Sequence, residues 1–107
     1  MAQLKSLQDK VVWITGASSG LGKALAQECA LQGAHVVLTA RRFEELENVR
    51  VGLLKPEQHL SIAADITDEN QVRHAYEQVL QCKGRIDWLI NNAGLSQRAL
   101  ITETTMQ

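Results

Sequence analysis

The stretch Lys10-Val-Val-Trp-Ile-Thr15-Gly16-Ala17-Ser18-Ser19-Gly20-Leu21-Gly22 limits what this chain can fold into more than any other part of it. Val11-Val12-Trp13-Ile14 is β-branched and aromatic without polar alternation, as expected of a strand covered on both faces. Glycine takes over at Gly16, and a helix-like pattern starts near Gly20. Strand, tight glycine turn and helix N-terminus, in that order, set unpaired backbone N–H groups where an anion such as a pyrophosphate can be held.

The same alternation continues along the chain. Leu21, Ala24, Leu25 and Cys29 recur at helical spacing, and Gly33 supplies a stop, which predicts a helix over about 19–32. His35-Val36-Val37-Leu38-Thr39-Ala40 reads as a second buried strand. Phe43, Leu46, Val49 and Leu53 form a helical stripe that runs into Lys55-Pro56. His59 to Ala64 reads as a third strand ended by Asp65. Thr67 is the expected N-cap of a helix whose apolar face is Val72, Tyr76, Val79 and Leu80, closed by Gly84. Ile86 to Ile90 is the fourth strand, and Leu100 to Gln107 has helix-start character without a body. Strands alternating with helices predict an α/β, Rossmann-like, doubly wound parallel sheet with right-handed crossovers and strand order 3-2-1-4.

Such a sheet leaves its fourth strand as an open, apolar edge. The expectation is therefore that residues 1–107 are the N-terminal part of a single nucleotide-binding domain. Failing that, they are a fragment stabilised by a second copy. Of the 107 residues, 45% are hydrophobic and 21% charged, with net charge -1, as in ordinary globular proteins. That balance gives no long-range attraction to nucleic acid or an anionic membrane. The first nine residues lack a secretory pattern, and no apolar run approaches the ~20 residues of a membrane helix. Cys29 and Cys82 fall in helical patterns and are expected as buried or half-buried thiols of a reducing compartment, with the cytoplasm as the expected location.

Gly16, Gly20 and Gly22 make a Gly-x3-Gly-x-Gly pattern, distinct from the general Gly-x-Gly-x-x-Gly fingerprint. Its position after a strand and before a helix points to a dinucleotide. Ser18 and Ser19 can cap the helix or bond phosphate. The second strand ends at Ala40, 18 residues beyond Gly22, where the ribose is read. A carboxylate there selects NAD, whereas here Arg41 and Arg42 follow, favouring the 2′-phosphate of NADP over NAD. Asp65 can accept from an adenine amino group, with Ile66 packing on the ring. Asn91-Asn92-Ala93-Gly94 follows the fourth strand on the ligand side of the sheet, and its small residues allow close backbone approach. His35, His59 and His74 have no metal-ligand spacing and read as structural or surface residues, and Trp13 and Trp88 as sheet core.

Thr15 to Gly22 together with Asn91-Asn92-Ala93-Gly94, and Asp65 between them, resembles the short-chain dehydrogenase/reductase family over essentially the whole chain. Ser96-Gln97-Arg98 is similar to the branch with bacterial oxidoreductases and animal retinol or steroid reductases. The resemblance implies cofactor contacts from Gly16, Ser18, Ser19, Leu21, Arg41, Asp65, Ile66 and Asn92. It also implies close packing at Gly20 and Gly22, and sheet stabilisation by Asn91 and Gly94. The implied chemistry is hydride transfer between nicotinamide and a small carbonyl or alcohol substrate, in proteins that often form homo-oligomers.

Two departures stand out. Many NADP-preferring members carry a basic residue just before the second glycine, where this chain has Ser19. The family's catalytic serine and Tyr-x-x-x-Lys pair lie downstream of the asparagine motif. This chain contains no Tyr-x-x-x-Lys: Tyr76 is its only tyrosine, followed four residues later by Leu80. No catalytic residue is assigned, and the 107 residues are expected to be inert. The competing expectations are a non-catalytic NADP(H)-binding module and a structural fragment that binds no cofactor alone.

Overall fold

The computed structural model describes residues 6–92 and 100–103. Strand β1 (Val11–Thr15) leads through the glycine turn into helix α1 (Gly20–Leu31). Strand β2 (His35–Ala40), helix α2 (Phe43–Arg50), a 3-10 turn at Pro56–Gln58 and strand β3 (Leu60–Ala63) follow. Helix α3 (Glu69–Lys83) then leads to strands β4 (Trp88–Asn91) and β5 (Leu100–Glu103). The sheet order is β3-β2-β1-β4-β5, and the first four strands are parallel in the expected 3-2-1-4 arrangement.

The strand side chains alternate between two cores, as the two-residue period of a strand requires. Val12 and Ile14 of β1, with Val36 and Leu38 of β2, pack on the α1 and α2 side. Val11, Trp13 and Val37 point the other way, onto Ala75 and Val79 of α3. Trp13 satisfies its indole N–H by donating to Thr39 Oγ1 at 2.8 Å, and its ring lies 6.4 Å from that of Tyr76. A one-residue slip of β1 would exchange its two buried faces, so its register is tightly specified.

Four expectations are corrected. The fourth strand is not an open edge: β5 pairs with it antiparallel, Trp88 opposite Glu103 and Asn91 opposite Leu100, so part of the stretch read as a helix start is a strand. Helix α3 is capped by Asp68, not Thr67. The Asp68 carboxylate accepts from Asn70 N at 2.9 Å and Gln71 N at 3.3 Å, while the Thr67 hydroxyl turns back to Asp65. Helix α1 buries Gly22, Ala26, Cys29 and Ala30, with Leu25 partly buried against them, whereas Leu21 and Ala24 are exposed; small residues let it lie close to the sheet. Cys82 is exposed rather than half-buried, on the solvent side of α3.

Polar ties gather where the strands begin. The Asp87 carboxylate accepts from Val11 N at 2.8 Å, fixing the entry to β4 beside the start of β1. Burial opposes its ionisation, but the Arg85 guanidinium and the Val11 N–H outweigh that and hold its pKa below the ordinary range. His59, buried, accepts from Val36 N at 3.0 Å through Nδ1 and donates from Nε2 to Leu54 O at 2.8 Å. Its pKa is lowered, chiefly by burial, consistent with the neutral ring these bonds require. Lys83 donates to Gln58 O at 2.6 Å, joining the end of α3 to the approach to β3.

Candidate functional site

A cleft of about 950 Å³ opens at the other end of the sheet, beyond the carboxyl ends of β1 to β4. That is the size of a cofactor site, at the place where the strand order reverses. Its lining brings together Gly16, Ser18, Ser19, Gly20, Leu21, Arg41, Arg42, Asp65, Ile66 and Asn92. Ala93 and Gly94 lie outside the described residues. Ala40, which the sequence places at the ribose end of β2, lines the cleft too, as do Glu45, Ala64 and Thr67, which the sequence did not assign to it. The two alanines are small enough to leave its floor open, and Glu45 enters because α2 begins directly behind the arginines.

The glycine turn is built by backbone. Gly16 sits at φ 66°, a conformation costly for residues with a Cβ. Its carbonyl accepts from Ser19 N at 3.2 Å, Ser19 Oγ at 2.9 Å and Asn92 Nδ2 at 3.2 Å. Gly22 lies so close that a Cβ there would come within 2.2 Å of Gly16 O, so it is the glycine that lets α1 approach the turn. Gly20 does not share that packing role, a correction to the expectation: a Cβ there meets nothing within 4 Å and would point into open space. The N–H groups of Gly20 and Leu21, in the first turn of α1, have no acceptor among the described residues. Beside that open space they form a bare cradle for an anion.

Ser19 is the N-cap of α1, and its hydroxyl is fully engaged. It donates to Gly16 O and accepts from Gly22 N at 3.4 Å and Asn92 Nδ2 at 2.9 Å. Asn92 is 8% exposed and directs both amide hydrogens inward, so what it offers a ligand is its Oδ1 acceptor. Asn91 works in the sheet: Thr15 Oγ1 donates to its Oδ1 at 2.8 Å and accepts from Asn92 N at 3.2 Å, tying β1 to β4.

At the far wall, Asp65 accepts from the Thr67 hydroxyl at 2.7 Å and the Thr67 N–H at 3.0 Å. Those two bonds, helped by the charge of Arg41, hold its carboxyl below the usual range. Arg41 and Arg42 are exposed at the end of β2. The residues present therefore fit a dinucleotide: free N–H groups at one end, open space where Gly20 lacks a side chain, and guanidinium groups at the other. Among the described residues no group of three or more His, Cys, Asp or Glu side chains could hold a metal ion. Nor, among the described residues, is any helix long and apolar enough to cross a membrane. Tyr76, on α3 against Trp13, is not among the residues lining the cleft.

Comparison with known proteins agrees with this geometry. A family model described as short chain dehydrogenase matches residues 10–107. Dehydrogenase/reductase SDR family member 7 of Homo sapiens is 46% identical over 105 residues, which is 94% of this chain and 31% of that protein. A solved short chain dehydrogenase from Bacillus anthracis superposes with a TM-score of 0.75 at 44% identity, covering 78% of this chain and 34% of that one. The 3-ketoacyl-(acyl-carrier-protein) reductase of Brucella melitensis, solved in complex with NADH, gives 0.73 at 39% identity, covering 78% and 34%. The chain thus spans about a third of the length of the proteins it matches.

Proposed function

The chain belongs to the short chain dehydrogenase family, and we propose that its residues form the NADP(H)-holding part of an oxidoreductase acting on a small carbonyl or alcohol substrate. The carrying observation is the end of β2. There β2 runs out into Ala40-Arg41-Arg42, with no carboxylate at the strand's own end, the position that meets an unphosphorylated ribose. Arg41 makes no ion pair among the described residues, so its planar guanidinium is available for bidentate contact with a 2′-phosphate.

The geometry supports the following division of labour. The N–H groups of Gly20 and Leu21 hold the pyrophosphate, Arg41 and Arg42 the 2′-phosphate, and Asp65 with Ile66 the adenine. Asn92 keeps the glycine turn in shape and offers Oδ1 to a ribose. The nicotinamide, when bound, supplies hydride transfer. The cleft lacks a Tyr-x-x-x-Lys pair to move the accompanying proton, so this chain consumes no NADPH by itself. Two free thiols, Cys29 and Cys82, support a reducing compartment such as the cytoplasm.

The test is a fluorescence titration with NADPH and NADH on the chain and on its Arg41→Asp variant. The expected result is tighter binding of NADPH by the parent. In the variant the preference falls by about tenfold to a hundredfold, the range set by losing charge-assisted hydrogen bonds. Unchanged discrimination would overturn the assignment of Arg41. Steady NADPH oxidation by the chain with a carbonyl substrate would overturn the absence of proton chemistry.

A further inference from the structure

The two arginines at the end of β2 are not equivalent. Arg41 has no ion-pair partner among the described residues, whereas Arg42 Nη1 lies 3.4 Å from Glu45 Oε2. Glu45 sits in the first turn of α2 and itself lines the cleft. A carboxylate thus stands on the wall assigned to the 2′-phosphate, engaging one of the two cations meant for it. Both partners are open to water, with side chains 81% and 49% exposed, so the pair is weak and can be exchanged for a better anion.

Two electrostatic effects of Glu45 have the same sign. Engaging Arg42, it competes with the phosphate for a guanidinium. As a negative charge lining the same cleft, it also repels a phosphate group held there. Both effects bear most on a nucleotide with a 2′-phosphate, because a free 2′-hydroxyl carries no charge for Glu45 to oppose.

We propose that Glu45 is a specificity-determining residue, a built-in counter-charge that sets the preference for a 2′-phosphorylated dinucleotide below what two free arginines would give. The inference rests on the NADP(H) reading of the cleft and adds the residue that tunes it. Glu45 acts on the phosphate through Arg42 and through space, so its contribution is electrostatic and screened by salt.

The experiment compares the parent chain, Glu45→Gln and Glu45→Gln/Arg42→Ala in titrations with NADPH and NADH, with circular dichroism to verify folding. In Glu45→Gln the NADPH Kd should fall about twofold to fivefold, the upper part of the range for a surface charge pair, while the NADH Kd changes by less than about 1.5-fold. The gain should shrink as salt is raised to about 0.5 M, and most of it should vanish in the double variant. Equal or weaker NADPH binding by a folded Glu45→Gln chain would overturn the proposal, as would an equal gain for NADH. A parent chain that binds NADPH no better than NADH would overturn the NADP(H) reading itself, an outcome visible before any variant is made.

Discussion

Asn92 donates from Nδ2 to the carbonyl oxygen of Gly16 at 3.2 Å, across 76 residues of sequence. The same amide donates to Ser19 Oγ at 2.9 Å. The turn that follows β1 is thereby held in shape from the end of β4, and the cradle at the start of α1 is a tertiary construction.

Replacing Asn92 tests that dependence. Gly16 O and Ser19 Oγ keep other partners, so Asn92→Ala should cost about 1–2 kcal/mol, the lower part of the range for a buried hydrogen-bonding group. Asn92→Asp should cost more, because a carboxylate cannot donate and would face the Gly16 carbonyl. Urea denaturation midpoints check the order. An Asp variant as stable as the parent would remove Asn92 from the turn.

Gly20 and Gly22 should separate stability from binding. A Cβ at Gly22 lies 2.2 Å from Gly16 O, against backbone that cannot turn aside. Gly22→Ala should therefore lose about 1–3 kcal/mol or more, the scale of overpacking. At Gly20 a Cβ meets nothing within 4 Å, so Gly20→Ala should keep the parent's melting temperature and weaken NADPH binding. Equal losses of stability in the two variants would contradict these separate roles.

Glu47 makes two bonds to Arg50, at 2.7 and 2.8 Å, and these hold its pKa down to about 2 from an ordinary 4.5. The folded chain binds this proton less readily than the unfolded chain. The stabilisation is therefore complete above about pH 4.5 and is lost as pH falls toward 2. Urea unfolding across that interval should show a smaller acid-induced loss in Glu47→Gln than in the parent. Parallel curves would mean the pair does not contribute.

The two thiols should differ sharply in reactivity. Cys29 is buried on α1, and burial, with the nearby Glu28 charge, pushes its pKa up to about 11. At pH 8 about one molecule in a thousand carries the thiolate, the reactive form. A disulfide reagent should modify one thiol quickly and the second only on unfolding, and Cys82→Ser should abolish the fast phase. Two fast equivalents would show that Cys29 is accessible.

Much of this was legible in the sequence, wherever local pattern and tertiary role coincide. Val11 to Ile14 read as a strand buried on both faces, and each face indeed has its own core. Arg41 and Asp65 could be placed because residues just past a parallel strand must reach the same end of the sheet. Glu45 escaped notice because an acidic residue in a helix's first turn looks like a dipole partner, and only α2's position turns it into the cleft. Gly20 and Gly22 looked alike because spacing cannot say which one faces backbone. Strand β5 was missed since Thr102-Glu103-Thr104-Thr105 resembles a helix start, and β pairing depends on a neighbour far away in sequence.

The polar ties of Asp87, His59 and Lys83 lie at the strand beginnings, while the cleft lies at their ends. These three ties stand on the rim opposite the cleft, whereas Asn91 and Asn92 fasten the cleft rim itself. Positions 41, 42 and 45 are exposed and take no part in those ties, so substitutions there leave the anchoring of the strand beginnings untouched.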